Sequence, residues 1–181
     1  MKLIVIVCDP VVRVVSHYMH LKKEAWHDFV NDSALFNLTD SKRIKRMLYS
    51  VGKMRQSWEV LAPGLYFQHI QNWLRYFPLK QFLFINGARL RTEPSIELDK
   101  FQYFLNLKPL ITNESFVFNS FKGFYCIKKP LNSTKVKCLG NAKGRKHPVI
   151  ESAILNDLRQ FYKRTDKIFF NLMSESPWWP L

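Results

Sequence analysis

Lys2 to Tyr18 reads KLIVIVCDPVVRVVSHY, and the fold class turns on this stretch. Lys2 to Val7 is a run of aliphatic, largely β-branched residues, the pattern of a strand buried on both faces of a parallel sheet. Asp9-Pro10 breaks the run, since proline lacks the amide a ladder needs. A helix is predicted from about Val11 towards Phe29, with Val11, Val14, Val15, Tyr18 and Ala25 along one face. A buried strand turning straight into a helix is the opening of an α/β unit.

The rest of the chain extends that pattern. Residues 31–57 are polar, basic and weakly periodic, so they read as a long loop with room for one short helix. Leu65, Tyr66, His69, Ile70, Trp73, Leu74 and Phe77 then recur at helical spacing until Pro78 stops them. Gln81 to Asn86 (QFLFIN) reads as a second buried strand, and Gly87 as the turn out of it. Pro94 opens a helix through Leu105, with Ile96, Leu98, Phe101, Phe104 and Leu105 apolar. Strand, helix, helix, strand, helix implies crossover connections and an α/β layered domain. Ser115 to Cys138 reads as short aromatic strands with turn residues Asn132, Ser133 and Thr134 between them. Ile150 to Tyr162 is the last predicted helix, with Ile150, Ile154, Leu158 and Phe161 on one face. Two parallel strands are few for such a sheet, so further strands are expected upstream.

Composition narrows the function classes. Of 181 residues, 47% are hydrophobic, enough for a sizeable core and too many for a disordered chain. The longest pure apolar run, Leu3 to Val7, is far short of the roughly 20 residues a membrane span needs. That run meets Asp9-Pro10 without a small-residue cleavage site, so neither a signal peptide nor a membrane anchor is expected in these residues. The formal charge is +14, and its placement is uneven. Residues 41–55 hold six basic residues and no acid; residues 121–147 hold eight and no acid. The remainder is neutral. Two basic segments on a neutral scaffold suit a polyanion, because clustered charge raises the local potential.

Three cysteines are present: Cys8, Cys126 and Cys138. The last two flank the predicted hairpin, where a disulfide would close a short loop and imply an oxidising compartment. The sequons at Asn31, Asn37, Asn113 and Asn132 point the same way, each in a predicted loop or turn. No CxxC pair exists, and His17 and His20 have no third ligand at matching spacing, so no metal is expected.

The opening stretch resembles the 3′-phosphate-binding strand–turn–helix of sulfotransferases that use 3′-phosphoadenylyl sulfate. Three further stretches narrow the likeness: GLYFQHIQNWLRYFPLKQFLFINGARL (Gly64 to Leu90), KGFYCIKK with KCLGNAKGRKHP (within Lys122 to Pro148), and LRQFYKRTDKIFF (Leu158 to Phe170). Together and in order, they resemble the heparan sulfate glucosamine 3-O-sulfotransferases. The implied fold is the P-loop-like sulfotransferase fold, a parallel sheet flanked by helices with a small disulfide-closed β-hairpin, truncated at its amino-terminal side. Its implied parts are a 3′-phosphate-binding strand and helix (2–30), a basic loop (31–57), an α/β core (58–112), a hairpin with nucleotide lid (113–148) and carboxy-terminal helices (149–181).

The resemblance also implies roles. Ser16 is the hydroxyl contact to the donor's 3′-phosphate, which helix N-terminal amides would help to hold. Cys8 stands where the family has an arginine, and a thiol gives no bidentate charged contact. Ala142, Lys143, Gly144, Arg145 and Lys146 close a loop over the nucleotide, with Gly144 allowing close backbone approach. His147 orders that lid or touches acceptor, and Trp58 and Glu59 contact the acceptor sugar. Ala88 replaces a glutamate usual after Gly87. The family's KGGTR-like phosphosulfate loop and its glutamate base are not among these residues, and the base is expected upstream of Met1. Neither Glu24 nor Glu59 matches it. The implied reaction is sulfo transfer from 3′-phosphoadenylyl sulfate to the 3-hydroxyl of glucosamine in heparan sulfate, in the Golgi, with this chain alone weak or inactive. A non-catalytic heparan-sulfate-binding remnant and an N-sulfotransferase relative remain as alternatives. Basic patches interleaved with aromatics also suit single-stranded nucleic acid, but the sequons and the cysteine pair speak against that partner.

Overall fold

The structure is a computed structural model, and it describes residues 1–24, 39–50, 53–54, 60–131, 133–140 and 147–181. Its contacts divide the chain into two compact units, one of Met1–Cys8 with Phe77–Lys146 and the other of Asp9–Tyr76 with His147–Leu181.

The first unit is built on β1 (Leu3–Val7), which pairs in parallel with β4 (Phe82–Asn86), Leu3 opposite Phe82 and Val7 opposite Asn86. The α/β class and the two parallel strands follow the sequence reading. Burial of β1 on both faces does not: Ile4 and Ile6 are 37% and 61% exposed, while Val7 is buried. An unbroken apolar run permits burial on both sides, but burial needs a covering layer on each. Here the strand alternates in and out like a half-covered one. Gly87 also departs from expectation. It begins a short helix, α4 (Gly87–Thr92), because Asn86 Oδ1 accepts from the amides of Ala88 (3.0 Å) and Arg89 (3.1 Å) as an N-cap. A Cβ on Gly87 would lie 3.0 Å from the Val7 carbonyl, so glycine lets the two strand ends approach.

In the following helix, α5 (Pro94–Phe104), the fully buried positions are Pro94 and two polar residues, Glu97 and Gln102. Ile96 is 45% exposed, whereas Glu97 and Gln102 are buried. Both polar groups are fully used. Glu97 accepts from the Asn86 amide (2.9 Å) and the Lys100 ammonium (3.2 Å), with Arg89 at 3.7 Å. Gln102 accepts from the amides of Leu110 and Ile111 and donates to the Ile111 carbonyl, clamping the exit segment. Beyond it, β5 (Phe116–Asn119), β6 (Phe124–Lys128) and β7 (Val136–Lys137) form an antiparallel sheet in chain order. Cys126 on β6 and Cys138 just after β7 are joined by a disulfide, as expected.

The second unit packs α1 (Pro10–Glu24), α2 (Asp40–Leu48), a ribbon of β2 (Tyr49–Ser50) and β3 (Lys53–Met54), α3 (Tyr66–Trp73) and the long α6 (Ser152–Met173). The ribbon falls inside the stretch read as loop. Its core joins Val11, Val14, Val15 and Tyr18 of α1 to Ile44 and Leu48 of α2, Val60, Leu61 and Leu65, and Ile154, Leu158 and Tyr162 of α6. Each fully buried side chain of this size contributes roughly 1.5–3 kcal/mol. Leu65 at the N-cap of α3 and Tyr66 and Ile70 on it turn inward, but Trp73 stays half exposed. One helix, not several, fills the carboxy-terminal region. It runs eleven residues past Tyr162, because the buried stripe continues through Asp166 to Phe169 and Phe170. Ser174, in the left-handed region at φ 56°, ends it.

Candidate functional site

The expected donor site begins where β1 hands over to α1. Cys8 is half-buried and belongs to the first unit; Ser16 lies in the second, exposed on α1 opposite the core-facing valines. The helix start differs from the expected anion cradle. Asp9 Oδ1 already accepts from the Val11 amide at 2.9 Å, and the Asp9 carbonyl takes the Arg13 amide. The carboxylate is then held by two bonds from Arg159 of α6, at 2.8 and 2.7 Å. An acidic N-cap fits the helix dipole, but it uses an amide that a phosphate would need. Ser16, two turns further along α1, is exposed.

Inside the same unit, a polar chain runs from α1 to the carboxy terminus. The Arg13 guanidinium donates to the Val60 carbonyl, and the Tyr162 hydroxyl donates to the Leu61 carbonyl at 2.8 Å. Burial pushes the Tyr162 phenol up to about 12, against the lowering charge of Arg13. Gly64 is required there, since a Cβ would come within 2.9 Å of the Tyr162 ring. Farther along α6, Asp166 is 1% exposed and accepts from the Trp179 indole at 2.8 Å. Its second oxygen has no hydrogen-bond partner among the described residues. Burial, with the nearby charge of Asp9, raises its carboxyl to about 6, while Trp179 and Arg159 pull it down. Trp179 completes an aromatic cluster with Tyr66 and Phe170. Tyr18 donates to Asp40 at 2.6 Å; burial and then Asp40 raise its phenol well above the usual range.

In the first unit, an open groove of about 730 Å³ lies between α4–α5 and the disulfide sheet. Leu90, Leu98, Phe116 and Ile127 line it together with Lys128, Lys129 and Lys137, and no carboxylate does among the described residues. The groove thus offers apolar surface and ammonium groups side by side. The second basic segment contributes all three lysines.

Of the other expected residues, His147 is exposed, and Asn113 is exposed with Oδ1 accepting from the Ser95 hydroxyl at 3.3 Å. Trp58, Glu59, Ala142, Lys143, Gly144, Arg145, Lys146, Asn31, Asn37 and Asn132 lie outside the described residues. Among the described residues there is no group of three or more potential metal ligands, and no helix is long and apolar enough to cross a membrane. The residues that the sequence reading missed are polar partners at long range: Asp9 with Arg159, Arg13 with Val60, Asp166 with Trp179, and Glu97. A signal existed for Asp9, since Asp-Pro ahead of an apolar helical face is an N-cap pattern. None existed for Glu97.

Residues 1–176 match the family model described as "Sulfotransferase domain". The chain is 36% identical over 178 residues to heparan sulfate glucosamine 3-O-sulfotransferase 6 of Mus musculus, covering 98% of this chain and 49% of that protein. It is 41% identical over 179 residues to the Mus musculus heparan sulfate glucosamine 3-O-sulfotransferase 3B1, covering 98% and 43%. The chain thus spans about half the length of the curated relatives it matches. A solved sulfotransferase from Alicyclobacillus acidocaldarius superposes with a TM-score of 0.57 at 15% identity, over 97% of this chain and 55% of that one. That likeness is one of fold, and it agrees with the α/β architecture and the parallel pair β1–β4. With the family model matching nearly the whole chain and the fold agreeing, the chain belongs to the sulfotransferase domain family.

Proposed function

We propose that this chain carries the donor-nucleotide and acceptor-binding portion of a heparan sulfate glucosamine 3-O-sulfotransferase. The observation that carries this reading is the match to two such enzymes over 98% of the chain. The donor is 3′-phosphoadenylyl sulfate, with Ser16 touching its 3′-phosphate and Ala142 to Lys146 folding over the nucleotide. The acceptor is heparan sulfate, met by Trp58, Glu59 and His147 and by lysines of the basic segments. Lys128, Lys129 and Lys137 around the groove support the polyanion part of the reading, since no carboxylate lines it among the described residues. Sulfuryl transfer asks the protein mainly to position reactants and neutralise charge. A base and a phosphosulfate loop are still needed, and neither family motif occurs in these 181 residues. Activity of the chain by itself is therefore weak or nil. The Golgi is the proposed compartment, consistent with the Cys126–Cys138 bridge, and Asn31, Asn37, Asn113 and Asn132 are the proposed glycan sites.

The test is transfer of radiolabelled sulfate from the donor to heparan sulfate, with the labelled position mapped, beside heparin-affinity elution of the same protein. The expected result is salt-sensitive heparin binding, with 3-O label about a hundredfold or more below that of an intact relative, the scale of a missing base. Transfer near the intact rate contradicts the deficit. Label confined to amino groups, or no heparin binding at all, contradicts the assignment.

A further inference from the structure

The pair at the start of α1 has a consequence for any phosphate bound beside that helix. Asp9 is an acidic cap, and an acidic cap repels an anion arriving at the same helix end. Arg159 cancels that charge through a two-pronged contact, with both side chains only about a fifth exposed (20% and 17%). Such geometry is held far better than an ordinary surface pair. The residue preceding Asp9 is Cys8, where the resemblance supplies an arginine, so this chain does not carry the family's cation there. Two other charged groups belong to the same neighbourhood. Arg13 on α1 is committed to the Val60 carbonyl, and Asp166 on α6 adds negative charge felt by Asp9 and Arg159.

We propose that Arg159 is a positioning residue for the donor's 3′-phosphate. It neutralises Asp9 and ties the first turn of α1 to α6, so that Ser16 meets the phosphate without a bare carboxylate on the same helix. The proposal rests on Ser16 being the phosphate contact. Its distinctive consequence is selectivity: loss of Arg159 hurts a ligand with a 3′-phosphate and spares one without it. A purely structural role would weaken both alike.

Calorimetric titration of the whole chain with adenosine 3′,5′-bisphosphate and with adenosine 5′-monophosphate makes the distinction. Arg159→Gln is expected to weaken the bisphosphate by about tenfold or more and the monophosphate by less than about twofold, as a lost charge-assisted contact would. Asp9→Asn keeps the cap but removes the charge, so adding it to Arg159→Gln is expected to restore most of the bisphosphate affinity. Equal losses for the two nucleotides, or no rescue by Asp9→Asn, overturn the proposal. So does an unchanged bisphosphate affinity in Arg159→Gln when Ser16→Ala has lost it. If Ser16→Ala leaves that affinity intact, the underlying reading of Ser16 fails first, and the proposal falls with it.

Discussion

At the scale of single residues, Cys8 and Gly64 show two ways in which one position matters. Cys8 stands at the end of β1 where the resemblance supplies an arginine. If this strand end faces the donor, Cys8→Arg adds a charged hydrogen-bonding partner worth about 1.5–3 kcal/mol, or roughly 10- to 150-fold in affinity. Titration with adenosine 3′,5′-bisphosphate is expected to show that gain, and an unchanged affinity would place the phosphate elsewhere. Gly64 matters through packing. A methyl group there meets the Tyr162 ring at 2.9 Å, and that ring is fixed by full burial and by its bond to Leu61. Gly64→Ala is therefore expected to lower stability by about 1–3 kcal/mol, read as a lower urea midpoint with an unchanged slope. The sequence made Gly64 visible only as the first letter of a familiar stretch. Its reason lies on a helix about a hundred residues away, and no local pattern points to Tyr162 as the partner.

At the scale of elements, α6 carries an ionisable group on its buried stripe. Asp166 has its carboxyl raised to about 6 from an ordinary 3.8, chiefly by burial. The folded state then holds a proton that the unfolded chain has released between those two values. Stability due to this group is therefore greatest at low pH and is lost as pH rises from about 4 to about 6. The full effect is about 3 kcal/mol. Asp166→Asn keeps an acceptor for the Trp179 indole and cannot ionise, so thermal unfolding of the variant is expected to lack that component of the pH dependence. An identical pH profile in both proteins would contradict the assignment. Elements also mark how far a sequence can be read. Apolar periodicity located α1, α3 and α6 because their buried faces are mostly hydrocarbon. It stopped α6 at Tyr162 because the next buried position is an aspartate, and it gave no sign that Glu97 and Gln102 of α5 are buried, because hydrogen bonds bury them. Polar burial depends on partners, and partners are a tertiary property.

For the whole molecule, the +14 charge resolves into parts with different meanings. Lys128, Lys129 and Lys137 border a groove, whereas Arg13 and Arg159 are spent inside the fold on a carbonyl and a carboxylate. Counting charges along the chain located the two basic segments, and Arg13 and Arg159 both lie outside them, in the stretches where acidic and basic residues balance. The family was legible from four ordered stretches, and the comparisons agree over nearly the whole chain. What those stretches leave open is which groups hold the donor. The acidic cap at Asp9 makes this a sharper question, because the α1 terminus is not the open amide cradle that a strand–turn–helix suggests. The central claim is that this chain recognises a nucleotide through its 3′-phosphate. In calorimetric titration of the unmodified chain, adenosine 3′,5′-bisphosphate is expected to bind saturably and about tenfold or more tighter than adenosine 5′-monophosphate. Equal affinity for the two nucleotides, or binding of neither, would contradict it.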